Sequence, residues 1–281
     1  MPSNYAQEFI KQLYSTAKLP DAEQLFKLKN NFSSQYHIPN LKNIELIKAY
    51  QELLENNQIQ KNLEVERLIS RRKIRSESGV SVITCLTKPF ACPGKCTYCP
   101  TEPNMPKSYL SNQPAAMRAV LNKFDAFNQV QNRLASLMVT GHKPSKVEII
   151  IIGGTWSFLP KDYQEDFIKD IYNGLNQKVE SSDIEKNGQF FKIPKIEKSE
   201  NLCLEEALKK NENSEYRCVG LTLETRPDFI TEEELQRFRE YGCTRVEIGV
   251  QSLDDEVQRI TKRGHDVKTV EKATKMLRDA G

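Results

Sequence analysis

Apolar positions recur at helical spacing through the first quarter of the chain. Phe9, Ile10, Leu13 and Tyr14 form one stripe, Leu25, Phe26 and Leu28 begin a second, and Ile44, Ile47, Tyr50, Leu53 and Leu54 form a third. Pro20 and Pro39 fall between them as breakers. The pattern predicts a small all-helical module over residues 1–75. From Val80 it changes. Val80–Leu86 is a short β-branched run, and Val147–Ile152 is almost unbroken apolar, as in a strand buried on both faces. Cys218–Glu224 and Arg245–Val250 read as two more strands. Helical periodicity fills the intervals: one long helix over Gln113–Met138, another from Lys161 to Leu175, one opened by Thr231 with Glu234 as its capping-box partner, a short one over Asp254–Thr261, and an amphipathic one over Lys268–Asp279. Residues 177–215 are rich in Lys, Glu, Ser and Asn and read as a polar insertion with at most a short helix at Leu204–Lys210. Strand followed by helix, four times over, implies parallel strands.

The fold class expected is therefore α/β, a partial (β/α) barrel over residues 76–281 preceded by the helical module. The sequence stops at Asp279-Ala280-Gly281, a helix C-cap signal, where the repeat calls for another strand. A parallel sheet ending there keeps an unpaired edge, so the expectation is a piece of a longer protein or a barrel completed by something else.

Composition narrows the classes. No apolar run approaches a membrane span, and the first ten residues have no basic segment followed by an apolar one, so neither a membrane anchor nor a secretory signal is expected. Seven cysteines without a disulfide-like framework fit a reducing cytoplasm. The net charge of +3 is too small to indicate nucleic acid by itself. Its distribution says more: Lys61–Arg75 holds six bases against two acids. Arg71, Arg72, Lys73 and Arg75 are candidates for phosphate contact, with a solvated helix face as the plain reading.

The chemistry is concentrated in Cys92-Pro93-Gly94-Lys95-Cys96-Thr97-Tyr98-Cys99-Pro100. Three thiolates at C-x3-C-x2-C spacing can ligate three corners of a cubane iron–sulfur cluster, leaving one iron open to another ligand. The alternatives are a closed structural zinc site, with Cys85 as fourth ligand, or buried thiols with no metal. Three more segments end predicted strands: Gly153-Gly154-Thr155-Trp156, Glu224-Thr225-Arg226-Pro227-Asp228 and Gly249-Val250-Gln251-Ser252. Parallel α/β folds place their active sites at such ends. Gly153 and Gly154 admit close backbone approach to a ligand or simply turn the chain. Glu224 is a hydrogen-bond acceptor for an amine or hydroxyl, or an ordinary carboxylate paired with Arg226. Gln251 is a pocket amide or a helix cap. Arg245 and Glu247 share one face of their strand, as a pair either inside a barrel or outside it. His265 reads as a surface loop histidine and Trp156 as core packing.

Together these features resemble the radical S-adenosylmethionine superfamily. The cysteine loop, Gln113-Pro114-Ala115-Ala116-Met117-Arg118-Ala119, Val147 to Thr155, Glu224 to Asp228, Tyr241 to Ser252 and Arg263-Gly264-His265 narrow the resemblance to the family of the Elongator catalytic subunit. The resemblance implies a [4Fe-4S] cluster on Cys92, Cys96 and Cys99, S-adenosyl-L-methionine on its open iron with Tyr98 beside the adenine, and Gly153 and Gly154 receiving the methionine part. Glu224, Arg245 and Gln251 become further pocket residues. It also implies radical modification of the tRNA wobble uridine at carbon 5, with tRNA bound through its anticodon region. Acetyl-CoA enters only if a GNAT acetyltransferase domain is supplied, because the sequence stops before one could begin. A homodimer or an Elongator-like assembly is the implied partner state. Two other readings stay open: a radical enzyme with another substrate, and a zinc-stabilised RNA-binding module without catalysis.

Overall fold

The structure is a computed structural model that describes residues 2–16, 18–70, 78–179 and 195–281. It divides into two compact units. One comprises the chain up to Ser78 with residues 134–144, and the other comprises residues 79–133, 145–179 and 195–281. Arg71, Arg72, Lys73 and Arg75 lie outside the described residues.

The first unit contains helices α1 (Pro2–Ser15), α2 (Ala22–Gln35), α3 (Asn43–Glu55) and α4 (Leu63–Ile69). The apolar stripes meet in one core of Phe9, Ile10, Leu13, Leu25, Phe32, Leu46, Ile47, Tyr50, Leu53, Val65 and Ile69. Asp21 caps α2 by accepting from the Gln24 amide, and Asn62 caps α4 by accepting from those of Glu64 and Val65. Phe26 is the exception among the predicted apolar positions and is 59% exposed.

The second unit is built on a four-stranded parallel sheet in the order β1 (Ser81–Leu86), β2 (Lys146–Ile152), β3 (Arg217–Thr225), β4 (Arg245–Ile248). Helices α5 (Pro114–Leu121) and α6 (Ala126–Val139) connect the first two strands. α7 (Lys161–Asn176) and α8 (Leu204–Asn211) connect the second pair, and α9 (Glu232–Glu240) the third. α10 (Asp255–Ile260) and α11 (Val267–Asp279) follow β4. The architecture is the expected strand–helix repeat.

Three local expectations are corrected. The single helix predicted over Gln113–Met138 is two, because Lys123 and Phe124 take left-handed backbone, with φ of +54° and +58°. Asp125 then restarts the helix by accepting from the Asn128 amide. Strand β2 is fully buried only on the face of Val147, Ile149 and Ile151, while Glu148, Ile150 and Ile152 are half-buried. Thr231 caps α9 as expected, but the Glu234 carboxylate does not complete the box; it is buried between Lys161 and Arg237.

Among the described residues strand β1 borders β2 alone, so its outer side would leave peptide groups unpaired. Gln129 of α6 supplies the missing partners at Leu86: its Oε1 accepts from the Leu86 amide at 2.9 Å and its Nε2 donates to the Leu86 carbonyl at 3.0 Å. Gly174 of α7 lets that helix approach α6, since a Cβ there would lie 3.1 Å from Val130. These contacts fix the end of β1 from which the cysteine loop departs. On this packing, Ile149→Ala, at a fully buried position, should cost about 2–5 kcal/mol. Val82→Ala, at a position 42% exposed, should cost under about 1 kcal/mol. Urea unfolding midpoints measure both, and equal losses would contradict the assignment of the buried sheet face.

Candidate functional site

Parallel pairing brings the ends of the four strands to one side of the sheet, where Cys92 and Cys96 meet residues that follow other strands and Cys99 meets the continuation of its own loop. Cys92 Sγ lies 3.9 Å from Thr155 Oγ1, just after Gly153-Gly154, and also accepts from the Gly94 amide at 3.4 Å. Cys99 Sγ accepts from Ser108 Oγ at 2.9 Å. Cys96, the most buried of the three, receives Arg263 Nη1 at 3.2 Å and Arg226 Nη1 at 3.8 Å. The loop is also tied to the turn after α10 by the Thr97 amide, which donates to the Thr261 carbonyl at 3.0 Å.

The glycines are explained by their surroundings. Gly153 has φ of +142°, and a Cβ there would lie 2.0 Å from Thr87 Oγ1. Gly154 has φ of +99° with space around it, so backbone conformation alone selects glycine there. Gly94 is selected by contact, because a Cβ would lie 2.2 Å from Arg226 Nη1.

Glu224 ends β3 half-buried and does not pair with Arg226. Tyr109 Oη donates to its Oε2, and the Gly153 amide also faces it. Burial raises its pKa above the ordinary carboxylate value, Glu247 adds to the rise, and the two donors oppose it. Burial likewise raises the Tyr109 phenol, with the Glu224 carboxylate adding to the effect. Arg226 instead makes a two-point pair with Asp228, at 2.9 and 2.8 Å.

The remaining predicted residues are more dispersed. Arg245 is exposed and pairs with Glu148 Oε1 across two strands at 2.6 Å, so it meets Glu148 and not Glu247. Gln251 is exposed with φ of +69° and caps nothing. The cap of α10 is Asp254, and Gln258 secures the preceding loop by donating to the carbonyls of Val250 and Ser252. Tyr98 is 46% exposed. Trp156 is buried edge-on against Phe167 and Tyr241.

His265 reverses its expectation. Its ring is fully buried, with Nδ1 3.5 Å from Asp228 Oδ1, and burial with Arg263 nearby lowers its pKa while Asp228 opposes the shift. Arg226, Arg263, His265, Gly94 and Lys95 help line an open cavity of about 880 Å³ that Gly153 and Glu224 do not reach. Tyr109, Ser108 and Arg263 are the contributors that residue-by-residue reasoning missed. The run Arg263-Gly264-His265 was the available signal for the last of them.

Among the described residues no three His, Cys, Asp or Glu side chains gather closely enough to hold one metal ion. Cys85, the candidate fourth zinc ligand, sits fully buried in β1, where burial pushes its thiol pKa up to about 12. The loop thiols are unpaired as disulfides, and each has a hydrogen-bond donor or hydroxyl at its sulfur. Three thiols on one loop with donors at sulfur suit a multi-iron cluster, whose ligands bind separate irons.

Residues 87–281 match the Radical SAM superfamily. The chain belongs to that superfamily. Its members imply S-adenosylmethionine and a [4Fe-4S] cluster, which the radical SAM loop described above fits. The "tRNA uridine(34) acetyltransferase" of Dehalococcoides mccartyi is 43% identical over 74% of this chain and 40% of its own length. The human "Elongator complex protein 3" is 34% identical over 76% of this chain and 37% of its own. The solved structure of archaeal Methanocaldococcus infernus Elp3 with its N-terminus (1–46) deleted aligns at a TM-score of 0.50 and 31% identity, covering 69% of this chain and 34% of that one. This radical SAM chain therefore spans less than half the length of these curated relatives.

The Glu224 environment has a pH signature. Its folded pKa lies above the unfolded value near 4.5, so the cost of ionising it is absent below that value and develops as pH rises through the raised pKa. Glu224→Gln should therefore gain stability relative to the parent protein as pH rises from about 4 to about 8. Urea midpoints of both proteins measure this, and a difference that stays constant over the range would contradict the burial argument.

Proposed function

We propose that this chain is the radical-generating part of an enzyme that modifies carbon 5 of the tRNA wobble uridine. The observation that carries the proposal is the contact of one three-thiol loop with the segments that follow β2, β3 and β4. The name "tRNA uridine(34) acetyltransferase" carried by curated relatives supplies the substrate class.

In this reading Cys92, Cys96 and Cys99 hold the cluster. When bound, the cluster supplies the electron that cleaves S-adenosylmethionine reductively. Gly153 and Gly154 bring bare backbone to the methionine part, and Tyr98 flanks the adenine. Glu224, held by Tyr109 and the Gly153 amide, accepts hydrogen bonds at the end of β3. Arg245, paired with Glu148, and Gln251, on its left-handed turn, are the further residues that the family resemblance offers to S-adenosylmethionine. Acetyl-CoA supplies the acetyl-derived group where a GNAT acetyltransferase domain is present to bind it. Arg71, Arg72, Lys73 and Arg75 contact phosphates near the anticodon region, which positions the tRNA without specifying its sequence. The working form is a cytoplasmic homodimer or Elongator-like assembly. Among the described residues no helix is long and apolar enough to cross a membrane.

Anaerobic reconstitution should yield about four iron and four sulfide per chain, and stoichiometric zinc without iron would sink the proposal. Cys96→Ala should lose production of 5′-deoxyadenosine from S-adenosylmethionine, and retained production would refute the ligand assignment. A tRNA lacking the wobble uridine should not be modified. Arg71→Glu with Arg72→Glu should weaken tRNA binding more at low salt than at high salt. Unchanged affinity at low salt would remove these residues from the binding surface.

A further inference from the structure

Two guanidinium groups converge on Cys96, the deepest thiol of the cysteine loop, and neither is free to swing. Arg263 Nη1 donates to Cys96 Sγ at 3.2 Å while its Nη2 donates to the Gly249 carbonyl. Arg226 Nη1 lies 3.8 Å from the same sulfur, and its Nη2 donates to the Arg263 carbonyl at 2.7 Å. Both arginines are buried. Gly94 leaves the room that Arg226 fills.

Their charges are not equivalent. Arg226 is bound at two points by the Asp228 carboxylate, which offsets much of its charge. Arg263 has no carboxylate partner among the described residues, and its Nε has no hydrogen-bond partner. His265, buried next to both and disfavoured as a cation, adds little charge. The sulfur of Cys96 therefore faces a net positive environment whose main source is Arg263.

We infer that Arg263, assisted by Arg226, is a guanidinium clamp on Cys96 that raises the reduction potential of the cluster. The inference rests on the reading of Cys92, Cys96 and Cys99 as cluster ligands. One-electron reduction adds a negative charge to the cluster and its thiolates. A fixed cation donating to a ligand sulfur stabilises the reduced form more than the oxidised form, and hydrogen bonds to sulfur and net charge are the established levers on cluster potentials. Arg263 is closer than Arg226 and less neutralised, so it carries the larger share. It is a positioning residue that acts through Cys96.

The test is a redox titration of the anaerobically reconstituted 281-residue chain, followed by electron paramagnetic resonance without S-adenosylmethionine. Arg263→Gln should move the midpoint to more negative potential. Poised at the parent midpoint, its reduced-to-oxidised ratio should fall roughly tenfold, which for a one-electron couple is about 59 mV. Arg226→Gln should shift it the same way by less, and Arg263→Lys should recover part of the loss. Arg259→Gln, which alters an exposed arginine of the same cavity paired with Glu256, should leave the midpoint unchanged.

The clamp is overturned if Arg263→Gln takes up iron and sulfide like the parent and titrates at the parent potential. It is equally overturned if Arg259→Gln shifts the midpoint as much, since general cavity charge would then be the cause. Should Arg263→Gln retain no cluster, Arg226→Gln decides, and an unchanged midpoint there rejects the clamp. A parent protein that takes up no iron and sulfide rejects the ligand reading and the clamp with it, a result distinct from an unmoved potential.

Discussion

Parallel pairing of four strands is the constraint on which the rest depends. In the order β1-β2-β3-β4 every strand runs the same way, so every strand end meets its neighbours at one edge. Four segments separated by tens of residues in sequence then become neighbours, and the long loop between β1 and α5 can reach the other three across the strand ends. The cysteine loop leaves β1 at that edge and finds Thr155 after β2, Arg226 after β3 and Arg263 beyond β4. Gln129 holds the outer side of β1 at Leu86, just before the loop departs, so the sheet's geometry is passed directly to the thiols.

The same edge sorts polar groups by the work that burial allows. Glu224 is half-buried and would be costly as a bare carboxylate. It is tolerated because Tyr109 and the Gly153 amide face it, the first delivered by the segment behind the cysteine loop and the second by the turn after β2. Gly153 can make that turn only without a Cβ, because Thr87 occupies the space. Thr87, Gly153, Glu224 and Tyr109 thus form one interlocked unit in which a change at any member is felt by the others.

Much of this was legible in the sequence. Short β-branched or apolar runs marked the strands, and turn chemistry marked the segments that follow them. The failures have physical causes. Lys123 and Phe124 carry no glycine or proline to announce a left-handed turn, so α5 and α6 read as one helix. Glu234 fits a capping box by spacing, but two cations from α7 and α9 outbid the backbone amide for its carboxylate. Arg245 meets Glu148 because register places the two side chains on the same face two strands apart, a relation that spacing within one strand does not reveal. His265 reads as a loop residue because burial depends on what packs over it, here Arg226, Asp228 and Arg263.

The charge around the thiols follows the same logic at longer range. The cysteine loop itself carries only Lys95 as a charged residue. The guanidiniums that meet Cys96 come from positions 130 and 167 residues further along the chain. Their contacts carry a large loop-closure cost that only the completed sheet repays. An unfolded or partly folded chain therefore presents Cys96 without its cationic partners, whereas the folded chain presents the thiol and the partners together. The spacing C-x3-C-x2-C specifies how many metal positions the loop can fill. The electrostatic character of those positions is set by the strands and the Arg263-Gly264-His265 turn, and so is a property of the fold and not of the motif.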